Sequence, residues 1–299
     1  FHSGSALWEA IFDENIPLPG IRPQALAALR THIHALDPVG LWDALGTTGI
    51  IAIGYTDQRF PPLLREIPDA PVILYTRGVY DWYHKAPLIT IVGTRKPSAY
   101  GRQVVTDFAR RLSQSGFTVI SGLAFGIDCL AHQAVLENHG KTIAVIGSGV
   151  DDISLSPQSH LSLAQRIIES EGALVSEFVP GTQASTGTFP ARNRIMAGMS
   201  PMTLVIEASE QSGTLITARL ALEYDRDVAA IPGSIFSAGA IGCHRLIQRG
   251  AKLVTSIEDI LEEFPSFESD SDPKRSEDID LPKNERALWI LITNEPLHI

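Results

Sequence analysis

Three short apolar segments, each followed at once by a glycine-bearing turn, constrain the fold of this chain more than any other feature. Helix-like stretches separate the three segments, and this alternation predicts an α/β fold with a parallel sheet and crossover helices. The carboxyl ends of parallel strands meet at one edge of a sheet, which is where ligands bind. Backbone N–H groups and helix N-termini at such an edge favour phosphate. The three pairs are residues 88–92 with 93–95, 117–120 with 121–128, and 142–146 with 147–151.

The α/β domain is predicted to span residues 67–264. About seven strands are expected; the remaining four lie at 173–176, 203–206, 228–231 and 252–254. Residues 1–66 are predicted to be a small helical domain, because Ala25–Arg30 is a strong helix former. Pro19-Gly20 before it suits either a helix-hairpin-helix turn or a plain turn in a small bundle, and both remain open.

The negative charge of the chain is concentrated near its C-terminal end. The net charge is −10, and ten acidic and two basic residues between Glu258 and Asp280 contribute −8 of it. Residues 265–283, rich in Ser, Asp, Glu and Pro, are predicted to be an acidic linker. Residues 284–299 restart an apolar pattern and are predicted to begin a further small domain that is cut off. The chain starts at Phe1, so we expect it to be truncated or processed.

The sequence argues against a membrane protein and against a disulfide-rich protein. Apolar runs fall well short of the ~20 residues that a span needs. The two cysteines, Cys129 and Cys243, have neither metal-ligand nor disulfide-framework spacing. These features favour a cytoplasmic protein without a metal.

Arginines and hydroxyl side chains accompany the predicted turns. Arg95 follows the first strand, where its guanidinium can bind phosphate through two hydrogen bonds. Phe189–Arg194 and Ser212-Gly213-Thr214 supply further arginines, hydroxyls and N–H groups. The chain has neither a G-x-G-x-x-G fingerprint nor a P-loop. Asp128 and His132 lie four residues apart, and we expect an orienting contact between them rather than a catalytic pair.

In order along the chain, these segments resemble the DNA-processing protein A family (DprA, also called Smf). The resemblance covers about 185 residues, and the ordered set is far more specific than any one piece. The matching runs include Ile91–Arg95, Ser121–Asp128, Gly147–Asp151, Phe189–Ile195, Ser212–Ala218 and Ile231–Gly233.

The resemblance implies an extended Rossmann-like domain, with a sterile-alpha-motif-like helical domain before it and a winged helix after it. It implies a protein without catalytic activity or cofactor that binds single-stranded DNA, loads the RecA recombinase during natural transformation, and forms a homodimer through the Rossmann-like domain. The residues predicted to bind nucleic acid are Gly93, Thr94, Arg95, Lys96, Ser121, Gly122, Gly126, His160, Arg192, Asn193, Arg194, Ser212, Gly213 and Thr214.

The chain departs from the family pattern after Asp151. The family commonly has a Tyr-Pro pair there with a basic residue nearby, whereas this chain has neither, and His160 is the candidate substitute. Two other functions remain open. One is a nucleotide phosphoribohydrolase of the related lonely-guy class, although the glutamate expected shortly beyond its glycine-rich turn is missing after Thr214. The other is a nucleotide-sensing module.

Overall fold

A computed structural model describes residues 22–34, 37–79 and 86–264 of the chain. Its helices are α1 (Pro23–His34), α2 (Pro38–Thr47), α3 (Pro62–Arg65), α4 (Ala99–Gln114), α5 (Ile127–Glu137), α6 (Leu161–Glu169), α7 (Thr188–Met199), α8 (Thr214–Glu223), α9 (Ile241–Gln248) and α10 (Glu258–Leu261), with a 3₁₀ turn at Gln158–His160. Its strands are β1 (Ile50–Gly54), β2 (Ile73–Gly78), β3 (Leu88–Val92), β4 (Thr118–Ser121), β5 (Thr142–Val145), β6 (Ala173–Ser176), β7 (Met202–Val205), β8 (Asp227–Ala230) and β9 (Lys252–Leu253).

The chain divides into two compact units, residues 1–52 and 53–299. In the first unit, α2 begins at Pro38, whose missing N–H costs nothing at this position. The Asp37 carboxylate caps the helix by accepting a hydrogen bond from the Gly40 N–H at 3.0 Å. The placement of a domain boundary near residue 66 stays a prediction. Residues 50–54, however, were predicted as part of a helical segment and form β1 instead, because β-branched isoleucines suit a strand.

The sheet has nine strands in the order β1-β2-β6-β5-β4-β3-β7-β8-β9, and strands β2 to β9 lie in the second unit. Neighbouring strands from β6 to β9 in this order are parallel, while β2 pairs with β6 in the antiparallel direction. The α/β class with a mostly parallel sheet is therefore confirmed. The sequence patterns predicted seven of these strands and missed β1 and β2.

The strand order reverses beside β3. From β3 the chain moves through β4 and β5 to β6, and it then returns to place β7 on the other side of β3. One face of β3 packs Ile89 and Ile91 against α4 and α5 in the main apolar core. On the other face the Thr90 hydroxyl hydrogen-bonds Met196 O in α7, at 2.9 Å. Crevices at such a reversal point are the usual ligand sites of open α/β sheets.

Some predictions fall on residues that the structure does not describe. The Pro19-Gly20 turn, the acidic linker at 265–283 and the start of a winged helix at 284–299 lie outside the described ranges. Among the residues that are described, no helix is both long and apolar enough to cross a membrane. The same residues contain no cluster of three or more His, Cys, Asp or Glu side chains suited to a metal ion.

Candidate nucleic-acid interface

A cavity of about 630 Å³ opens at the carboxyl end of β3, where the strand order reverses. We call it the β3 cavity. Its walls come from the turn after β3 and from the N-terminal parts of α5, α7 and α8. Nine of the fourteen predicted site residues line it: Gly93, Thr94, Arg95, Lys96, Arg192, Asn193, Ser212, Gly213 and Thr214.

The turn after β3 is held by hydrogen bonds on both sides. The Thr94 N–H donates to Glu207 O at 2.7 Å, and Thr94 O accepts from the Ile127 N–H at 3.1 Å. Gly126 has a φ of +81°, and a Cβ there would overlap the backbone of Thr94 and Arg95. Glycine at this position therefore lets the second turn approach the first and fixes the backbone from which Arg95 projects.

Arg95 is an exposed cation of the cavity, and Lys96 beside it is also exposed and lines the cavity. Its guanidinium carbon lies 5.4 Å from the centre of the Phe189 ring, a cation–π geometry that orients the side chain. Among the described residues, Arg95 forms no ion pair with a carboxylate within 4.0 Å. Its charge is thus available to an external anion, and a planar guanidinium suits phosphate through two parallel hydrogen bonds.

The N-terminus of α8 faces the same cavity. Ser212, Gly213 and Thr214 line it, and the Ser212 hydroxyl accepts the Thr214 N–H at 3.3 Å. The first turn of a helix carries partial positive charge and N–H groups that lack partners within the helix. This terminus adds a second attraction for an anion opposite Arg95.

Arg192 lies beneath the cavity and is 4% exposed. Its Nη1 donates to Val145 O at 2.6 Å, which ties α7 to the end of β5. Burial lowers the pKa of Arg192 to about 10, although the nearby Asp128 opposes this effect. Burial also raises the pKa of Asp128, which Arg192 and the backbone N–H groups of Gly122 and Ala124 counteract. Arg192 and Asp128 are therefore a buried, mutually stabilising pair in the floor of the cavity.

His132 is fully buried near this pair, and it contacts Thr142 rather than Asp128. The Thr142 hydroxyl donates to Val119 O at 2.7 Å, so it accepts the hydrogen bond from His132 Nδ1, also at 2.7 Å. The expected orienting contact with Asp128 is absent among the hydrogen bonds of the described residues. Burial, with Arg192 and His160 nearby, lowers the pKa of His132 from 6.5 to about 3.

We expect His132 to make stability depend on pH in the acid range. Below pH 6.5 His132 is protonated in the unfolded chain, whereas in the folded protein it stays neutral down to about pH 3. The free energy of unfolding therefore falls as pH falls through this window. The loss approaches about 1.4 kcal/mol per pH unit. Urea unfolding of the wild type and of His132→Leu between pH 7 and about 4 measures it. The raised pKa of Asp128 acts in the opposite direction but is common to both proteins. Equal slopes in the two would contradict the prediction.

The structure places five predicted site residues away from the lining of the β3 cavity. Ser121 is buried and its hydroxyl donates to Ile91 O at 2.7 Å, so it joins β4 to β3. Gly122 leaves room for Arg192 and Asp128, and Gly126 permits the tight turn. His160 hydrogen-bonds Leu123 O at 2.8 Å. Arg194 pairs with Glu177 at 2.5 Å and with Asp69 at 3.4 Å.

His160 nevertheless belongs to an aromatic pair at the same edge of the sheet. Its ring meets Phe125 edge-on with centroids 4.7 Å apart, and Phe125 is 51% exposed. Ala124, beside Phe125, lines the β3 cavity. A direct role for His160 and Arg194 in binding nucleic acid stays a prediction.

The predicted set omits ten of the residues that line the cavity, among them Phe189, Asp128 and Thr186. Phe189 stands in the quoted motif beside the arginines, and an aromatic residue next to predicted phosphate ligands is a usable signal for stacking. Asp128 ends the run Ser121–Asp128 and lies four residues before His132, and neither position marks it as a residue of the cavity. Nothing in the sequence around Thr186 distinguishes it from an ordinary loop residue.

Fold and site together define a doubly wound α/β protein with a crevice at its reversal point, lined by Arg95 and the N-terminus of a helix. A family model described as DNA recombination-mediator protein A matches residues 51–265. The chain is 42% identical over 241 residues to the DNA processing protein DprA of Bacillus subtilis (strain 168), covering 80% of each. It is 47% identical over 208 residues to DprA of Streptococcus pneumoniae, covering 70% of this chain and 72% of that one. The chain belongs to the DNA-processing protein A family.

Two solved structures of DNA processing protein A resemble the structure of this chain. The X-ray structure of the Streptococcus pneumoniae protein has a TM-score of 0.72 at 40% identity and covers 83% of this chain and 84% of its own. The Helicobacter pylori protein, whose structure concerns a unique single-stranded DNA binding mode, has a TM-score of 0.65 at 25% identity, covering 73% and 96%. The family resemblance is confirmed, and membership agrees with a protein that is not an enzyme.

Proposed function

We propose that the β3 cavity binds the phosphate backbone of single-stranded DNA. The observation that carries the proposal is Arg95, an exposed arginine oriented by Phe189 that forms no ion pair within 4.0 Å with a carboxylate of the described residues. The N-terminus of α8 faces the same cavity and adds partial positive charge. The net charge of −10 does not oppose this, since −8 of it lies between Glu258 and Asp280. The single-stranded DNA binding mode described for the Helicobacter pylori relative supports the proposal.

The wider role that we propose follows from family membership. The protein protects incoming single-stranded DNA and loads the RecA recombinase onto it during natural transformation, acting as a homodimer in the cytoplasm. A reducing compartment suits its cysteines, which are both free thiols. The lonely-guy alternative needs a glutamate beyond the glycine-rich turn. Leu215, Ile216 and Thr217 occupy that place, and none of them can act as an acid or base.

We expect the chain to bind single-stranded DNA more tightly than a duplex of the same length, with little sequence preference. A site made of N–H groups and an arginine recognises phosphate without reading base pairs. Titration of labelled oligonucleotides at several salt concentrations measures this, and the affinity for single strands should fall as salt rises because counterions are released. Equal or tighter duplex binding, or an affinity independent of salt, would count against the proposal. Release of free base from a nucleoside monophosphate would favour the enzyme instead.

A further inference from the structure

A second cleft lies on the other side of the loop that follows β7. We call it the Glu207 cleft. Its volume is about 530 Å³, within the ~300–1,000 Å³ typical of small-molecule sites. Its floor is mostly apolar and is formed by Ile206, Ile231, Pro232 and Ala240. The predicted phosphate-binding residues do not line it, and the function proposed above does not use it.

The two cavities follow one another along the same two chain segments. After β3, Lys96 lines the β3 cavity and Ser98 lines the Glu207 cleft. After β7, Ser209 lines the β3 cavity and Glu207 lines the Glu207 cleft. Two residues of chain span at most about 7 Å. Stacked nucleotides rise about 3.4 Å each, so a strand that leaves the first cavity reaches the second within a few nucleotides.

The chemistry of the Glu207 cleft differs from that of the β3 cavity. Glu207 Oε2 accepts hydrogen bonds from the N–H and the hydroxyl of Ser98, at 3.0 and 3.1 Å. These bonds fix a carboxylate in the wall of an apolar cleft. A carboxylate repels phosphate but accepts hydrogen bonds from N–H groups. Each of the four nucleobases carries such a donor and two apolar faces, so the cleft suits a base rather than the backbone.

One aromatic residue, Tyr100, lines the cleft, and a second, Phe236, lies in a loop that contributes to the lining. The Tyr100 hydroxyl donates to Pro232 O at 2.8 Å, which holds the ring in place while 48% of the residue remains exposed. Phe236, in the loop that supplies Ser234 and Ser237 to the lining, is 93% exposed. Exposed aromatic rings beside an electropositive track are the stacking platforms of single-strand binders.

We propose that the Glu207 cleft receives a nucleobase of the strand whose phosphates lie at Arg95, with Tyr100 and Phe236 stacking on bases at its mouth. The inference rests on the proposed function and adds the course of the strand, which runs from the β3 cavity across the loop after β7. Because every base offers an N–H group and a π face, the cleft binds bases without strong sequence preference.

The test compares two oligomers of equal length, one of thymidine nucleotides and one with the same phosphates but without bases. We expect Tyr100→Ala and Phe236→Ala each to weaken binding of the thymidine oligomer about fivefold or more, the usual cost of losing one stacked ring. Binding of the baseless oligomer should stay within about twofold, because neither ring contacts phosphate. Phe236 is 93% exposed, so its replacement should leave the urea midpoint unchanged.

Two further variants separate this inference from the function on which it rests. Val72→Ala also removes exposed apolar surface, but beside β2, five strands from β7, and should change neither affinity. Arg95→Ala should weaken both oligomers. Suppose that Arg95→Ala weakens binding of both oligomers, but the Tyr100 and Phe236 variants bind both normally or lose affinity for both by the same factor. The nucleobase cleft is then wrong and the phosphate site stands. If the wild-type chain binds neither oligomer, both proposals are wrong.

Discussion

Replacement of Arg95 by alanine is expected to weaken single-stranded DNA binding by roughly ten- to a hundredfold, the value of a charge-assisted phosphate contact of about 1.5–3 kcal/mol. Arg95 is exposed, stacks on Phe189 and forms no ion pair with a described carboxylate, so its removal should leave the free energy of unfolding unchanged. A fluorescence anisotropy titration measures the affinity, and urea unfolding checks the fold.

Two variants serve as controls for Arg95→Ala. Arg110→Ala removes the same charge from the C-terminal half of α4, where Arg110 pairs with Asp107 at 2.6 Å, and should bind DNA normally. Arg95→Lys keeps the charge but loses the planar fork, so its affinity should be intermediate. Normal binding by Arg95→Ala would show that the phosphate site lies elsewhere.

Replacement of Arg192 by methionine is expected to act mainly on stability, with a loss of about 3–5 kcal/mol, because it removes the main cation that stabilises the buried Asp128 carboxylate. It also removes the donor to Val145 O. Since an isolated buried carboxyl takes up a proton, the loss should shrink as pH falls. Urea unfolding at pH 7 and about pH 5 measures both effects.

A double variant tests the cause of this loss. Adding Asp128→Asn to Arg192→Met removes the unpaired charge and should recover part of the lost stability, since replacing both partners of a buried pair costs less than removing one. A loss of DNA binding with full stability in Arg192→Met would contradict the structural role and make Arg192 a direct DNA ligand.

The course of α7 separates residues that the sequence motif groups together. Arg192 and Arg194 stand two residues apart on a helix, and each residue turns the helix by about 100°, so their side chains point in nearly opposite directions. Arg192 turns under the β3 cavity, whereas Arg194 turns toward Glu177 and Asp69. A motif predicts that such residues matter but not which side of a helix faces the ligand.

The sequence by itself determined the α/β class, seven of the strands and the edge at which the glycine-bearing turns meet. These follow from local periodicity and from glycines where chain segments approach closely, as Gly126 does. Only the tertiary structure decided that Arg95 stays exposed while Arg192 is buried, that β2 runs antiparallel to β6, and that Glu207 faces a second cleft. The reason is physical: the partner, burial and direction of a side chain depend on elements distant in sequence, and local patterns carry no information about them.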